Sequence, residues 1–158
     1  MRTTRRDWLQ GASALAALGI AGCARAEPPK PAAKTAMLVH RDAGCGCCLA
    51  WAEQAEAAGY AVRVVDTRAI GAVKQKLGVP ADLASCHTVE VDGLVVEGHV
   101  PLPALARLRV ERPAGVIGLA VPGMPRGSPG MEMPDGTKDP FTVFAFAADG
   151  RRYAFEQG

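Results

Sequence analysis

Apolar and polar residues alternate along this chain in short segments, each with a readable period. Thr35 to His40 holds the unbroken run Met37-Leu38-Val39, which suits a buried strand. From Cys47 to Ala58 small and apolar residues recur at helical spacing, with Glu53, Gln54 and Glu56 left for an outer face and Gly59 as a stop. Ala61-Val62-Arg63-Val64-Val65 is β-branched and reads as a second strand. Asp66 or Thr67 then caps a helix over about Ile70 to Leu77, ending at Gly78. Val89-Glu90-Val91 and Leu94-Val95-Val96 flank Asp92-Gly93, a hairpin turn signal. Pro103 suits the first turn of a helix running to about Glu111.

The predicted order is β-α-β-α-β-β-α, an α/β arrangement with the order of a thioredoxin-like core. Beyond Arg112 the pattern changes. Gly115 to Val121 is apolar. The run from Pro122 to Pro134 is dense in Gly, Pro and Met and is unsuited to regular helix or sheet. Phe141 to Ala147 and Arg152 to Phe155 predict a terminal hairpin turning at Asp149-Gly150. Because the Met/Pro/Gly segment lies between apolar stretches, it is expected to form an ordered loop laid across the domain.

The chain has 158 residues, enough for one domain plus a leader. Residues 1–26 read as a twin-arginine export signal: Arg5-Arg6, the bulky apolar Trp8 two positions on, then a weakly apolar stretch from Ala12 to Ala21, too short to span a bilayer comfortably. Two processing sites compete. Residues 20–23, Ile20-Ala21-Gly22-Cys23, resemble a lipobox that would place a lipid on Cys23. Ala24-Arg25-Ala26 resembles an ordinary cleavage site. Residues 27–35 read as a tether and residues 36–158 as the domain, in the periplasm either free or lipid-anchored. The leader holds Arg2, Arg5, Arg6 and Arg25 against Asp7. Without it 14 basic and 15 acidic residues remain with no basic run, so nucleic-acid binding has no electrostatic support. A lipid on Cys23 would be the sole membrane contact.

The densest chemistry lies between the first strand and the first helix, where Cys45, Cys47 and Cys48 fall within four residues. A helix start stabilises thiolates, which are both nucleophiles and soft-metal ligands. Cys45 and Cys48 have the spacing of a redox dithiol. Cys47 adds a third sulfur, and adjacent cysteines tend to point apart, which suits sulfurs shared among several ions. Cys86 precedes the third strand, which in a thioredoxin-like fold faces the first helix start. His99 follows the hairpin. His87 reads equally as a ligand or a hydrogen-bonding residue, and His40 as a structural or supporting one. Met124, Met131 and Met133 sit in the Gly/Pro loop, with loop packing the alternative to a ligand role. Thiolate, imidazole and thioether together favour Cu(I), whereas zinc rarely uses methionine. No P-loop, dinucleotide-binding glycine pattern, nucleophile elbow or His-Glu-x-x-His occurs.

The cysteine triplet, Ser85-Cys86-His87-Thr88, Gly98-His99-Val100-Pro101 and the segment from Val121 to Glu132 occur in that order. Together they resemble the CopG-type family of exported metal-binding proteins associated with bacterial copper resistance. The resemblance covers about Ala36 to Phe155. It implies a thioredoxin-like core and a polynuclear Cu(I) cluster on Cys45, Cys47, Cys48 and Cys86, with Met124 and His99 as weaker candidates. It also implies a periplasmic role in copper handling, with redox interconversion of copper as a further expectation. A copper-binding function would in addition call for a periplasmic delivery or efflux partner that exchanges the copper.

Three functions therefore stand open: a copper-binding protein, a thiol-disulfide oxidoreductase working through Cys45 and Cys48, and a copper oxidoreductase. A structural zinc domain is the blandest alternative.

Overall fold

The computed structural model describes residues 33–158. The expected export signal, lipobox and most of the tether lie outside these residues. Strand β1 (Ala36–Arg41) leads into helix α1 (Gly46–Ala57), followed by β2 (Ala61–Asp66) and α2 (Ile70–Lys76). A single 3₁₀ turn (Ala81–Leu83) precedes the hairpin of β3 (His87–Val91) and β4 (Leu94–Glu97). Helix α3 (Leu102–Glu111), β5 (Val116–Ala120), β6 (Thr142–Ala147) and β7 (Arg152–Gln157) complete the domain.

The strands form one mixed sheet in the order β2-β1-β3-β4-β5-β6-β7. β2 lies parallel to β1 and β5 parallel to β4, while the remaining neighbours are antiparallel. The apolar segment after α3 thus becomes a sheet strand, and the terminal hairpin extends the same sheet through it.

Strand alternation divides the core between the two faces. On one face Val39, Val89, Val96 and Leu119 pack with Trp51 of α1 and Leu105 and Leu108 of α3. On the other, Val95, Ala120 and Phe146 pack with Val79 and Leu83 near α2 and the 3₁₀ turn. β2, read from its β-branched residues as a strand, is a largely exposed edge: Ala61, Arg63, Val64 and Asp66 face solvent. Its β-branched residues satisfy the backbone preference of a strand without marking burial, because β propensity and depth in the sheet are separate properties.

The Met/Pro/Gly segment is ordered by turns and side-chain bonds. Gly127 N donates to Met131 O, Met131 N to Ser128 O, and Arg126 pairs with Asp139 across the loop. Its inner edge reaches α1, where Gly130 has φ +82°. A Cβ there would lie 2.7 Å from Trp51 N and 2.9 Å from Cys47 O, so only glycine lets the loop approach this closely.

Candidate metal centre

β1 delivers the chain to the sheet's end at Arg41, and a tight turn carries it into α1. Gly44 N donates to Asp42 Oδ1, and Cys45 N donates to Asp42 O. The buried Arg41 guanidinium donates to the carbonyls of Ala43 (3.2 Å) and Cys45 (2.8 Å), which holds the turn against the strand it left. Arg41 Nε is 2.9 Å from Asp66 Oδ1, an ion pair whose alignment falls short of a hydrogen bond. Cys45 is the N-cap of α1 with no side-chain cap bond, so Cys47 and Cys48 fall in a first turn whose amide N–H groups lack a side-chain acceptor from the cap.

The four sequence-predicted cysteines converge: their sulfurs lie within 4.8 Å of one another. Cys45 and Cys48 are joined in a disulfide, with Cys48 fully buried. Cys47 and Cys86 are free thiols. Cys47 Sγ lies 3.5 Å from Cys45 Sγ and 3.9 Å from Cys86 Sγ, so it stands between the disulfide and the distant cysteine.

Cys86 belongs to a second, overlapping group with His87 and His99, again within 4.8 Å. Its sulfur is 3.2 Å from His87 Nδ1 and 3.0 Å from His99 Nε2. His99 Nδ1 is 2.8 Å from the Pro129 carbonyl, which can only accept. The proton therefore sits on Nδ1, and the Nε2 lone pair faces Cys86. An imidazole whose second nitrogen donates to a backbone carbonyl is the usual orientation of a metal-binding histidine. His87 is fully buried against Trp51 (ring centroids 5.1 Å apart), and its Nε2 has no hydrogen-bond partner.

Burial, reinforced by Cys47, pushes the Cys86 thiol up to about 12, so it is protonated at neutral pH until a cation displaces the proton. Burial, with His99 and Lys74 adding to it, lowers His87 to about 3. Burial also lowers His99, outweighing the opposing effects of Pro129 and Glu132. Both imidazoles are thus held neutral, the form that binds a metal. Two thiols, two neutral imidazoles and, on reduction, two further thiols make a soft donor set that fits copper.

The remaining predicted residues fall at varied distances from this centre. Met124 is exposed, one residue beyond Gly123, whose carbonyl accepts from the Ser85 hydroxyl; it lines a surface cleft with Pro122, Pro125 and Phe141. Met131 is half-buried and Met133 exposed. His40 pairs with Glu90 at 2.8 Å. Sequence reasoning did not find Arg41, the Pro129 carbonyl or Gly130 as parts of the site. A basic residue ending a buried strand beside the cysteines was a signal for Arg41, whereas a backbone carbonyl leaves none.

Comparison with known proteins adds a family profile described as "Protein of unknown function, DUF411", which matches residues 83–131. No curated protein matches. Two solved structures do: "Copper resistance protein copG- Form 1", at 44% identity and TM-score 0.74, and "Form 2", at 43% and 0.75. Each alignment covers 80% of this chain and 98% or 99% of the other. The chain belongs to the CopG copper-resistance family. The family profile takes in Cys86, His87, His99 and the loop as far as Met131. Copper resistance in these relatives and the cysteine cluster of this chain together point to copper binding.

Proposed function

We propose that this protein is a periplasmic copper-binding protein of copper resistance, holding Cu(I) on Cys45, Cys47, Cys48 and Cys86 as a polynuclear thiolate cluster. The observation that carries this is the convergence of four cysteine sulfurs from two remote segments. Once the Cys45–Cys48 disulfide is reduced, the centre offers four thiols, more soft donors than a dithiol enzyme needs and enough for sulfurs to bridge several ions. His99 adds an oriented nitrogen, and Met124 is the further candidate from the loop. The first four strands with α1, α2 and α3 form, in this reading, a thioredoxin-like core to which the Met/Pro/Gly loop and terminal hairpin are added. Residues 1–26 would export the chain, with Cys23 either lipidated or lost with the leader. A delivery or efflux partner would exchange copper with the cluster.

A second reading is favoured by the disulfide itself. Cys45 and Cys48 bridge at the start of α1, with Cys47 close by, and would serve a thiol-disulfide or copper oxidoreductase. Anaerobic titration of the reduced domain with Cu(I), followed by X-ray absorption at the copper edge, separates the two. Several Cu(I) per chain with sulfur-dominated, short metal–metal scattering is expected for the cluster. Weak Cu(I) binding with ready Cys45–Cys48 cycling would overturn it in favour of the oxidoreductase.

A further inference from the structure

Behind Cys86, on the sheet face opposite Trp51, lies a buried polar group that the metal centre does not use. Glu97 ends β4 with no exposed surface. Its Oε1 lies 2.5 Å from Lys74 Nζ of α2 and accepts the Ser85 backbone N–H at 2.6 Å. Its Oε2 accepts the Thr88 hydroxyl at 2.7 Å, and Lys74 Nζ also donates to Thr88 Oγ1 at 2.9 Å. Ser85 and Thr88 flank Cys86-His87 in the chain. One carboxylate therefore grips both ends of the dipeptide that carries the distant cysteine.

Glu97 is itself well fixed. It pairs with Thr88 of β3 on one side and Ala120 of β5 on the other. The backbone continues the tie: Gly98 N donates to His87 O, and a Cβ at Gly98 (φ +70°) would overlap Ser85 and the Val121 carbonyl. Buried ion pairs are a poor source of stability, since well-packed apolar residues usually replace them without loss. A pair kept in the sheet's interior, with hydrogen bonds aimed at the segment bearing a metal-centre cysteine, suits a geometric role better than an energetic one.

We propose that Glu97, held by Lys74, is the positioning residue for Cys86. It sets the sulfur between the two imidazoles and Cys47 before any metal arrives, and so sets copper affinity. The copper half of this inference rests on the copper-binding reading above; the positioning half does not.

The test combines Lys74→Met with Glu97→Leu, which removes the pair without leaving a lone buried charge. Glu97→Gln combined with Lys74→Met is the milder companion, since it keeps a polar side chain beside Ser85 and Thr88 and likewise leaves no lone charge. In the metal-free protein with Cys45–Cys48 oxidised, Cys47 and Cys86 are the free thiols among the described residues. Their alkylation by iodoacetamide is followed site by site by mass spectrometry on material shown to be folded by circular dichroism. Loss of the clamp is expected to speed Cys86 by about tenfold or more relative to Cys47. It should also lower Cu(I) affinity by about 10- to 100-fold, as loss of an outer support typically does. In a Cys86→Ser background the same changes should cost no further affinity, because Glu97 acts through Cys86. An unchanged Cys86-to-Cys47 ratio, or equal acceleration of both thiols, overturns the positioning role. If the unaltered protein binds no Cu(I), the copper reading falls and the alkylation ratio still decides the role of Glu97.

Discussion

Acid should unfold the metal-free protein earlier than a His87→Leu variant. His87 is buried against Trp51, edge-on to His99 at 5.1 Å between ring centroids, next to the Cys86 sulfur, and under the influence of the Lys74 cation. Burial first, then His99 and Lys74, lower it from 6.5 to about 3. In the unfolded chain the ring takes a proton near pH 6.5, whereas in the folded chain it stays neutral until about pH 3. Stability from this residue is therefore fully present above pH 6.5 and is lost as pH falls towards 3. At about 1.4 kcal/mol per pH unit, the loss is about 2 kcal/mol at pH 5 and about 3 kcal/mol at pH 4. The assay is urea unfolding of both proteins, metal-free and with the disulfide intact, at pH 7, 6, 5 and 4. Carboxylates titrate alike in both, so their contribution cancels in the difference. The advantage of the variant should grow by about 3 kcal/mol between pH 7 and pH 4. Parallel pH profiles would show that the folded site admits the proton and would refute the electrostatic account of the centre.

Three other outcomes follow from the same geometry. Cys47→Ser should lower the number of Cu(I) bound per chain, read by anaerobic titration, and leave the Cys45–Cys48 disulfide free to cycle; unchanged stoichiometry would remove Cys47 from the ligand set. Because burial pushes Cys86 up to about 12, Cu(I) must displace its proton, so apparent affinity should rise by about tenfold per pH unit from this thiol alone. Competition with a Cu(I) chelator at pH 6, 7 and 8 checks this, and a flat response would mean the thiol is already ionised or does not bind. Gly130→Ala should destabilise by roughly 1–3 kcal/mol in urea unfolding, since the new Cβ meets Trp51 N and Cys47 O at a left-handed φ.

The parts of this structure that local pattern determines were legible from the chain. Asp92-Gly93 makes its hairpin, Gly59 follows α1 in a left-handed conformation, and the cysteine triplet falls at the first strand-to-helix junction. The approach of Cys86 to the triplet was legible once the strand order was assumed. Two kinds of feature were not. Exposure of β2 depends on its place at the sheet's edge, which composition does not encode. The supports of the centre are backbone atoms or lone charged residues: the Pro129 carbonyl, and Glu97 at the end of an apolar strand. A carbonyl has no residue type to announce it. An isolated glutamate shows its purpose only when Lys74 and Ser85, remote in sequence, are found beside it.

The hydrogen bond between His99 and Pro129 has a consequence for biosynthesis. All four cysteines of the centre have been synthesised once Cys86 is added, yet the carbonyl that orients His99 is added more than forty residues later. Gly130, which seats the loop on the first turn of α1, comes with it. A nascent chain exposing only the cysteines would present reactive sulfur without the oriented imidazole or the covering loop. In the copper-binding reading, the complete donor set is thus a property of the finished chain, which separates the making of the thiols from the making of the site.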